Sequence, residues 1–202
     1  MTEAPDRTAA APRGRPRNAA VDGAVIDTVL RLLAGGAVFA DLSMVAIARE
    51  AGVTRATVYR RWPTKDALLV DVLLAAEEPL PEPAGKSLRA DLLEIMEATR
   101  KRSLSKETSA LMRNMTTMLK TNPELWQCYR DTAIAPRRKV FATVLRRGIE
   151  TGELRPELGD DLDFLIDLLV GPFYYRASMN APLAEDLTEH LVDTFLRGAS
   201  PR

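Results

Sequence analysis

The chain has 202 residues, of which 46% are hydrophobic and 28% charged, a balance that excludes a disordered protein and suits a folded one. Lys and Arg number 28 and Asp and Glu also number 28, so bulk charge gives no pull toward nucleic acid and only the placement of charges can. One Cys and one His exclude an internal disulfide and argue against a zinc or copper site, so no metal or cofactor is expected.

Residues 1–19 are rich in Ala, Pro and Arg and lack the apolar stretch of a secretory signal. They read as a flexible basic arm carrying Arg13, Arg15 and Arg17, with no acid between Arg7 and Asp22. No apolar run approaches a membrane span, and with the lone thiol this predicts a reducing, cytoplasmic setting without membrane contact. From there on, apolar residues recur at intervals of three and four, and no strand-like alternation of any length occurs. The expected fold is all-α.

The first helix is expected from Asn18 or Asp22 to Ala34, with Val25, Val29, Leu32 and Leu33 on one face and Gly35-Gly36 as its stop. Ser43 starts a second helix that ends at Ala51, and Gly52 makes a sharp turn. Thr54 starts a third, about Arg55 to Trp62, which Pro63 ends; Thr64 starts a fourth that buries Leu68, Leu69, Val72 and Leu73. The Pro79-Leu80-Pro81-Glu82-Pro83 loop separates a unit of residues 20–76 from one of residues 77–202. In the second unit the helices are expected at about 88–102, 106–119, 123–151, 161–179 and 184–196, capped by Ser87, Ser105, Asn122 and Asp160. Pro136 and the Gly171-Pro172 pair each predict a kink or a break.

Residues Ser43 to Lys65 have the outline of a helix-turn-helix. Val53 and Val58 face inward, while Arg55, Thr57, Tyr59 and Arg60 face out. On spacing alone, a plain helical corner with a solvated basic face fits equally well. Three features favour DNA. Arg55, Arg60, Arg61 and Lys65 form a basic cluster without acids between Thr54 and Lys65. Lys65 stands at a helix start, where a cation is disfavoured unless an anion joins it. Tyr59 and Trp62 are large aromatics in a chain that has few.

The segment from Leu42 to Leu68, with Ile47-Ala48, Ala51-Gly52-Val53, Thr54, Tyr59, Trp62 and Lys65 followed by apolar positions, resembles the DNA-binding signature of the tetracycline-repressor (TetR) family. The resemblance covers about residues 20–75. It implies that Arg55 and Thr57 face base edges, that Tyr59 and Lys65 meet phosphates, and that Ser43 and Thr54 join the DNA-contacting set. Arg60 and Arg61 fall where the family varies, as base readers or phosphate clamps. Two further stretches, Arg147–Pro156 and Leu169–Arg176, resemble later segments of the same family. The family implies a dimer on double-stranded operator DNA, repression, and release by a small-molecule effector.

Arg13-Gly14-Arg15-Pro16-Arg17 also resembles an AT-hook core, whose arginines enter the minor groove; a solvated basic tail is the alternative. The effector site is expected to be largely apolar, with Met112, Met115, Trp126, Phe141 and Phe173 among its walls, although core packing explains each of them too. The apolar density of Leu162, Leu165, Ile166, Leu169, Leu187, Leu191 and Phe195 predicts a homodimer through the last two helices, with Gly171 allowing close approach. No phosphate loop, nucleophile elbow or paired His points to an enzyme. The rival function is a helical protein-interaction or small-molecule-binding module without DNA activity.

Overall fold

The computed structural model describes residues 15–105, 122–179 and 181–201, and among them there is no strand. Helix α1 spans Arg15–Ala34. It starts upstream of both expected caps, with Pro16 in its first turn, where a missing N–H breaks no bond. Arg15 and Arg17 therefore belong to a helix, which shortens the flexible arm expected over residues 1–19; Arg13 lies outside the described residues. Gly36, at a φ of 96°, ends α1, and the Ala37 N–H returns to the Leu32 carbonyl at 3.0 Å.

Helices α2 (Met44–Glu50), α3 (Arg55–Arg61) and α4 (Lys65–Ala75) begin as the hydroxyl residues before them dictate. The Ser43, Thr54 and Thr64 oxygens accept from the amides of Ala46, Thr57 and Ala67 at 3.1, 3.2 and 3.1 Å. Gly52 takes a φ of 68° between α2 and α3, a left-handed turn that a side chain would strain. These helices enclose a first core of Val25, Val29, Leu33, Phe39, Ile47, Val58, Trp62, Leu68, Leu69, Val72 and Leu73. We refer to α1–α4 as the head.

Helix α5 spans Leu88–Leu104. The helix expected at 106–119, with Met112 and Met115, lies outside the described residues. Helix α6 (Pro123–Tyr129) starts at Asn122, whose side chain accepts from the Leu125 amide. It continues through a wide π turn, Arg130–Ile134, into α7 (Ala135–Glu150). Pro136 gives the reason. It offers no N–H and crowds the carbonyl of the preceding turn, so the helix widens ahead of it and does not break. In α8 (Leu162–Ser178), by contrast, Pro172 sits within an unbroken helix, and Asp161, one residue past the expected cap, accepts from the Phe164 amide. Helix α9 spans Leu187–Ala199.

Two cores result. Helices α5, α7, α8 and α9 surround Leu88, Leu92, Ile95, Met96, Phe141, Val144, Leu145, Leu165, Ile166, Leu169, Phe173 and Val192. Leu125, Tyr129 and Ala133, from α6 and the π turn, instead join the core of the head. Polar ties fix the second unit. The buried Asp91 carboxylate pairs with Arg147 and accepts from the Gly85 amide, fastening the Pro-rich loop to α5 and α7. Glu97 takes Arg100 and Thr188, fastening α9 to α5.

Gly148 of α7 marks a close helix contact. A Cβ there would lie 2.8 and 2.9 Å from the two Leu88 methyls and 3.2 Å from Leu154. Gly148→Ala should lower unfolding free energy by about 1–3 kcal/mol in urea titration. Gly23→Ala, where nothing lies within 4 Å of the new methyl, should hold or raise stability by up to about 1 kcal/mol.

Candidate nucleic-acid interface and ligand cavity

The exposed face of α3 carries Thr54, Arg55, Ala56, Tyr59 and Arg60, while Val58 is fully buried and anchors the helix. Arg55 lies over the Tyr59 ring, 5.2 Å from its centroid. The stacked pair leaves the guanidinium edge open and presents cation and phenol together. Thr57 is half-buried, and its hydroxyl meets that of Thr54 at 2.8 Å. Ser43 spends its oxygen on the α2 cap. These three hydroxyl groups hold the frame, and the large exposed side chains of this face are Arg55, Tyr59 and Arg60.

Arg61 corrects the sequence expectation. Its side chain is 13% exposed and pairs with Asp22 of α1, so it braces the helix-turn-helix against α1 and does not reach outward. Trp62 is buried, and its indole N–H donates to Asp71 at 2.7 Å, tying the end of α3 to α4. Lys65 is half-buried at the start of α4. Its ammonium donates to the Ala40 carbonyl at 2.7 Å and sits 4.9 Å from the Phe39 ring centroid. Burial lowers its pKa, opposed by the charges of Asp41 and Asp66. The cation at a helix start is therefore already answered by a carbonyl, an aromatic face and two nearby carboxylates.

A cavity of about 1030 Å³ opens among α5, α6, the π turn, α7 and α8. Its apolar walls include Trp126, Ile134, Phe141, Ile166, Val170 and Phe173. Trp126, Phe141 and Phe173 were expected there; Met112 and Met115 lie outside the described residues. Polar residues also line it, and sequence reasoning missed these. Arg102 of α5, Tyr129 of α6 and Arg137 of α7 converge on Glu77, two residues past the end of α4. Arg102 grips the Glu77 carboxylate with both terminal nitrogens, at 2.6 and 2.9 Å. The Tyr129 hydroxyl donates to it at 3.0 Å, and the Arg137 Nε lies 3.5 Å away. Burial, helped by the Glu77 charge, pushes the Tyr129 phenol up to about 12, so it stays a donor at neutral pH. The one sequence signal was a cation in apolar register: Arg102 continues the stripe of Leu88, Leu92, Ile95 and Thr99.

Residues 33–72 match the family profile of bacterial regulatory proteins, tetR family, and residues 82–195 match that of the tetracyclin repressor-like C-terminal domain. The second match alone covers more than half of the chain. This chain belongs to the tetracycline-repressor family. It is a transcriptional regulator with a helix-turn-helix DNA-binding region. An uncharacterized HTH-type transcriptional regulator of Bacillus subtilis, YdeS, is 32% identical over 166 residues, 81% of each chain. Among solved structures, the TetR family transcription regulator SCO0332 is 30% identical, with a TM-score of 0.64 over 90% of this chain and 99% of its own. The flavonoid-responsive regulator FrrA, 22% identical, has a TM-score of 0.69 over 91% of this chain and 99% of its own and shares the fold.

Burial within the chain corrects four of the expected dimer residues. Leu165, Ile166, Leu169 and Leu187 are buried inside the chain's own second core, and Leu162, Gly171, Leu191 and Phe195 are half-buried. The open apolar stripe of α8 is instead Phe164, Leu168, Tyr175 and Met179, exposed by 55, 50, 68 and 61%. Its spacing of four, seven and four residues keeps one face of the helix. No helix among the described residues is long and apolar enough to cross a membrane.

The contrast between Arg61 and Arg55 is measurable without DNA. Arg61→Ala should lower the regulator's unfolding free energy by about 1 kcal/mol, because a half-buried ion pair is lost. Arg55→Ala, exposed and without an acidic partner among the described residues, should change it by less than about 0.5 kcal/mol. Equal effects in thermal unfolding would place both side chains in the same role.

Proposed function

We propose that this regulator is a cytoplasmic repressor that binds palindromic operator DNA as a homodimer and releases it when a small molecule with a largely apolar body fills the cavity. One observation carries this reading. Tyr129 and Trp126 pack against the core of the head and also line the cavity, so the cavity wall and the head share one helix. Whatever displaces α6 displaces α4 with it. A ligand that fits one placement of α6 better than another shifts the population of head positions by its difference in affinity.

In the DNA-bound dimer the two α3 helices occupy successive turns of the major groove. Arg55 reads base edges, with Tyr59, Arg60 and Lys65 on phosphates, and Thr57 brought close to the bases by its helix position. Arg13, Arg15 and Arg17 add charge toward the flanks. The dimer forms through the exposed stripe of α8 beside α9, as an intermolecular four-helix bundle. The fold shared with a flavonoid-responsive regulator supports a small-molecule-responsive reading.

Selection of bound sequences from random DNA should return a palindrome with half-sites about one helical turn apart. Arg55→Ala should cost about 1–3 kcal/mol on that site and relax one base position. Lys65→Ala should weaken selected and random DNA alike and lower the salt slope by about one. Selection that returns no preferred sequence overturns the repressor reading. Leu168→Arg should convert the dimer to folded monomer in light scattering. Leu169→Arg should unfold the chain, because Leu169 is buried within it.

A further inference from the structure

The apolar walls of the cavity leave the charge of its ligand open, and the ion pairs around it decide that point. At the outer side, Arg138 is answered twice, by Asp163 at 2.8 Å and Asp167 at 2.7 Å. At the inner side, Arg102 and Arg137 share the single carboxylate of Glu77. Among the described residues this leaves one surplus positive charge in the most buried polar part of the wall, where it is weakly screened by water. Glu77 is not itself among the lining residues, whereas both arginines and Tyr129 are. Among the described residues the buried Nε–H of Arg102 has no hydrogen-bond partner, although the other two nitrogens of the guanidinium are engaged. A buried cationic donor without a partner is costly, and a turn of the guanidinium toward a ligand would satisfy it.

We propose that the ligand of this cavity is an amphipathic monoanion, a carboxylate on an apolar body, whose charged group binds Arg102, Arg137 and the Tyr129 hydroxyl in competition with Glu77. At the inner end one surplus positive charge matches one negative charge, while the second carboxylate on Arg138 lies at the exposed outer side, where water screens it. The apolar walls take the body, and about 1030 Å³ leaves room for a molecule of drug size. Tyr129, kept protonated by burial, supplies a donor to either carboxylate.

The competition sets the regulation. A second carboxylate beside the arginines repels Glu77 and takes its hydrogen bonds. Glu77 holds the exit of α4, while Asn122 holds its entry through Asp66 at 2.7 Å. Freeing one end and not the other lets α4 pivot about the end that remains tied. This step rests on the effector reading above; the charge of the ligand does not.

The test measures binding by calorimetry on the full chain without DNA. Decanoate, phenylbutyrate and naphthylacetate are each compared with decanol, phenylbutanol and naphthylethanol. At least one acid should bind about tenfold or more tightly than its alcohol, the gain of a charge-assisted hydrogen bond over a neutral one. Arg137→Gln should abolish that preference by weakening the acids far more than the alcohols. Glu77→Gln, which removes the competitor, should tighten the acids several-fold. If Arg137→Gln fails to fold, Glu77→Gln alone decides, since a purely structural Glu77 predicts weaker or equal binding. Acids that bind no better than their alcohols, or not at all, overturn the proposal. Acid preference in a protein that selects no operator overturns only the repressor reading. Operator release by neutral compounds alone overturns only this one.

Discussion

Helix α4 is buried from two directions at once, and the rest of the regulator is arranged around that demand. Leu68, Leu69, Val72 and Leu73 are taken by the head, while Leu125 and Tyr129 of α6 join the same core from the other unit. A short helix held so has no independent position. Its direction follows from the two surfaces that clasp it. At about 25 cal/mol per Å² of apolar surface, the clasp outweighs any single polar contact along it, so the polar contacts choose the angle and not the existence of the packing.

Those contacts are spread along α4. Asp66 receives Asn122 near the entry, Asp71 receives Trp62 in the middle, and Glu77 receives two arginines and a tyrosine past the exit. A buried ion pair contributes little net stability, because desolvation offsets most of the attraction, yet removing one partner leaves the other costly. Such groups act as locators. The exposed pair of Arg31 and Glu50, by contrast, lies in water and adds little of either kind.

Local chemistry made the head legible in the sequence. Ser43, Thr54 and Thr64 announce helix starts, and Gly36 and Gly52 announce left-handed turns, because each effect acts within a few residues. What depends on a distant partner was not legible. Arg61 looks like Arg60 in the sequence, and only the approach of Asp22 separates them. Helix α8 is apolar on two faces, so Leu165 and Leu168 compete equally for the core until α5 and α7 choose Leu165. Pro136 and Pro172 carry the same warning of a break, and neighbours decide that one widens its helix and the other does not. Arg102 and Arg137 were invisible as site residues because their partner, Glu77, follows a helix of the other unit.

The π turn at Arg130–Ile134 has a consequence for phase. A regular helix advances by about 100° per residue, and a turn closed from Ala135 to the Arg130 carbonyl holds one residue more than an α turn does. The extra residue sets α6 and α7 out of phase, so Leu125 and Tyr129 can meet the head while Phe141 and Arg137 meet the cavity on one nearly continuous rod. Close the same residues as ordinary α turns with none removed, and every side chain beyond them swings by about 100° around the axis, carrying Phe141 off the cavity while leaving the head side of α6 as it was. The regulator thus encodes the separation of its two faces as a miscount of one.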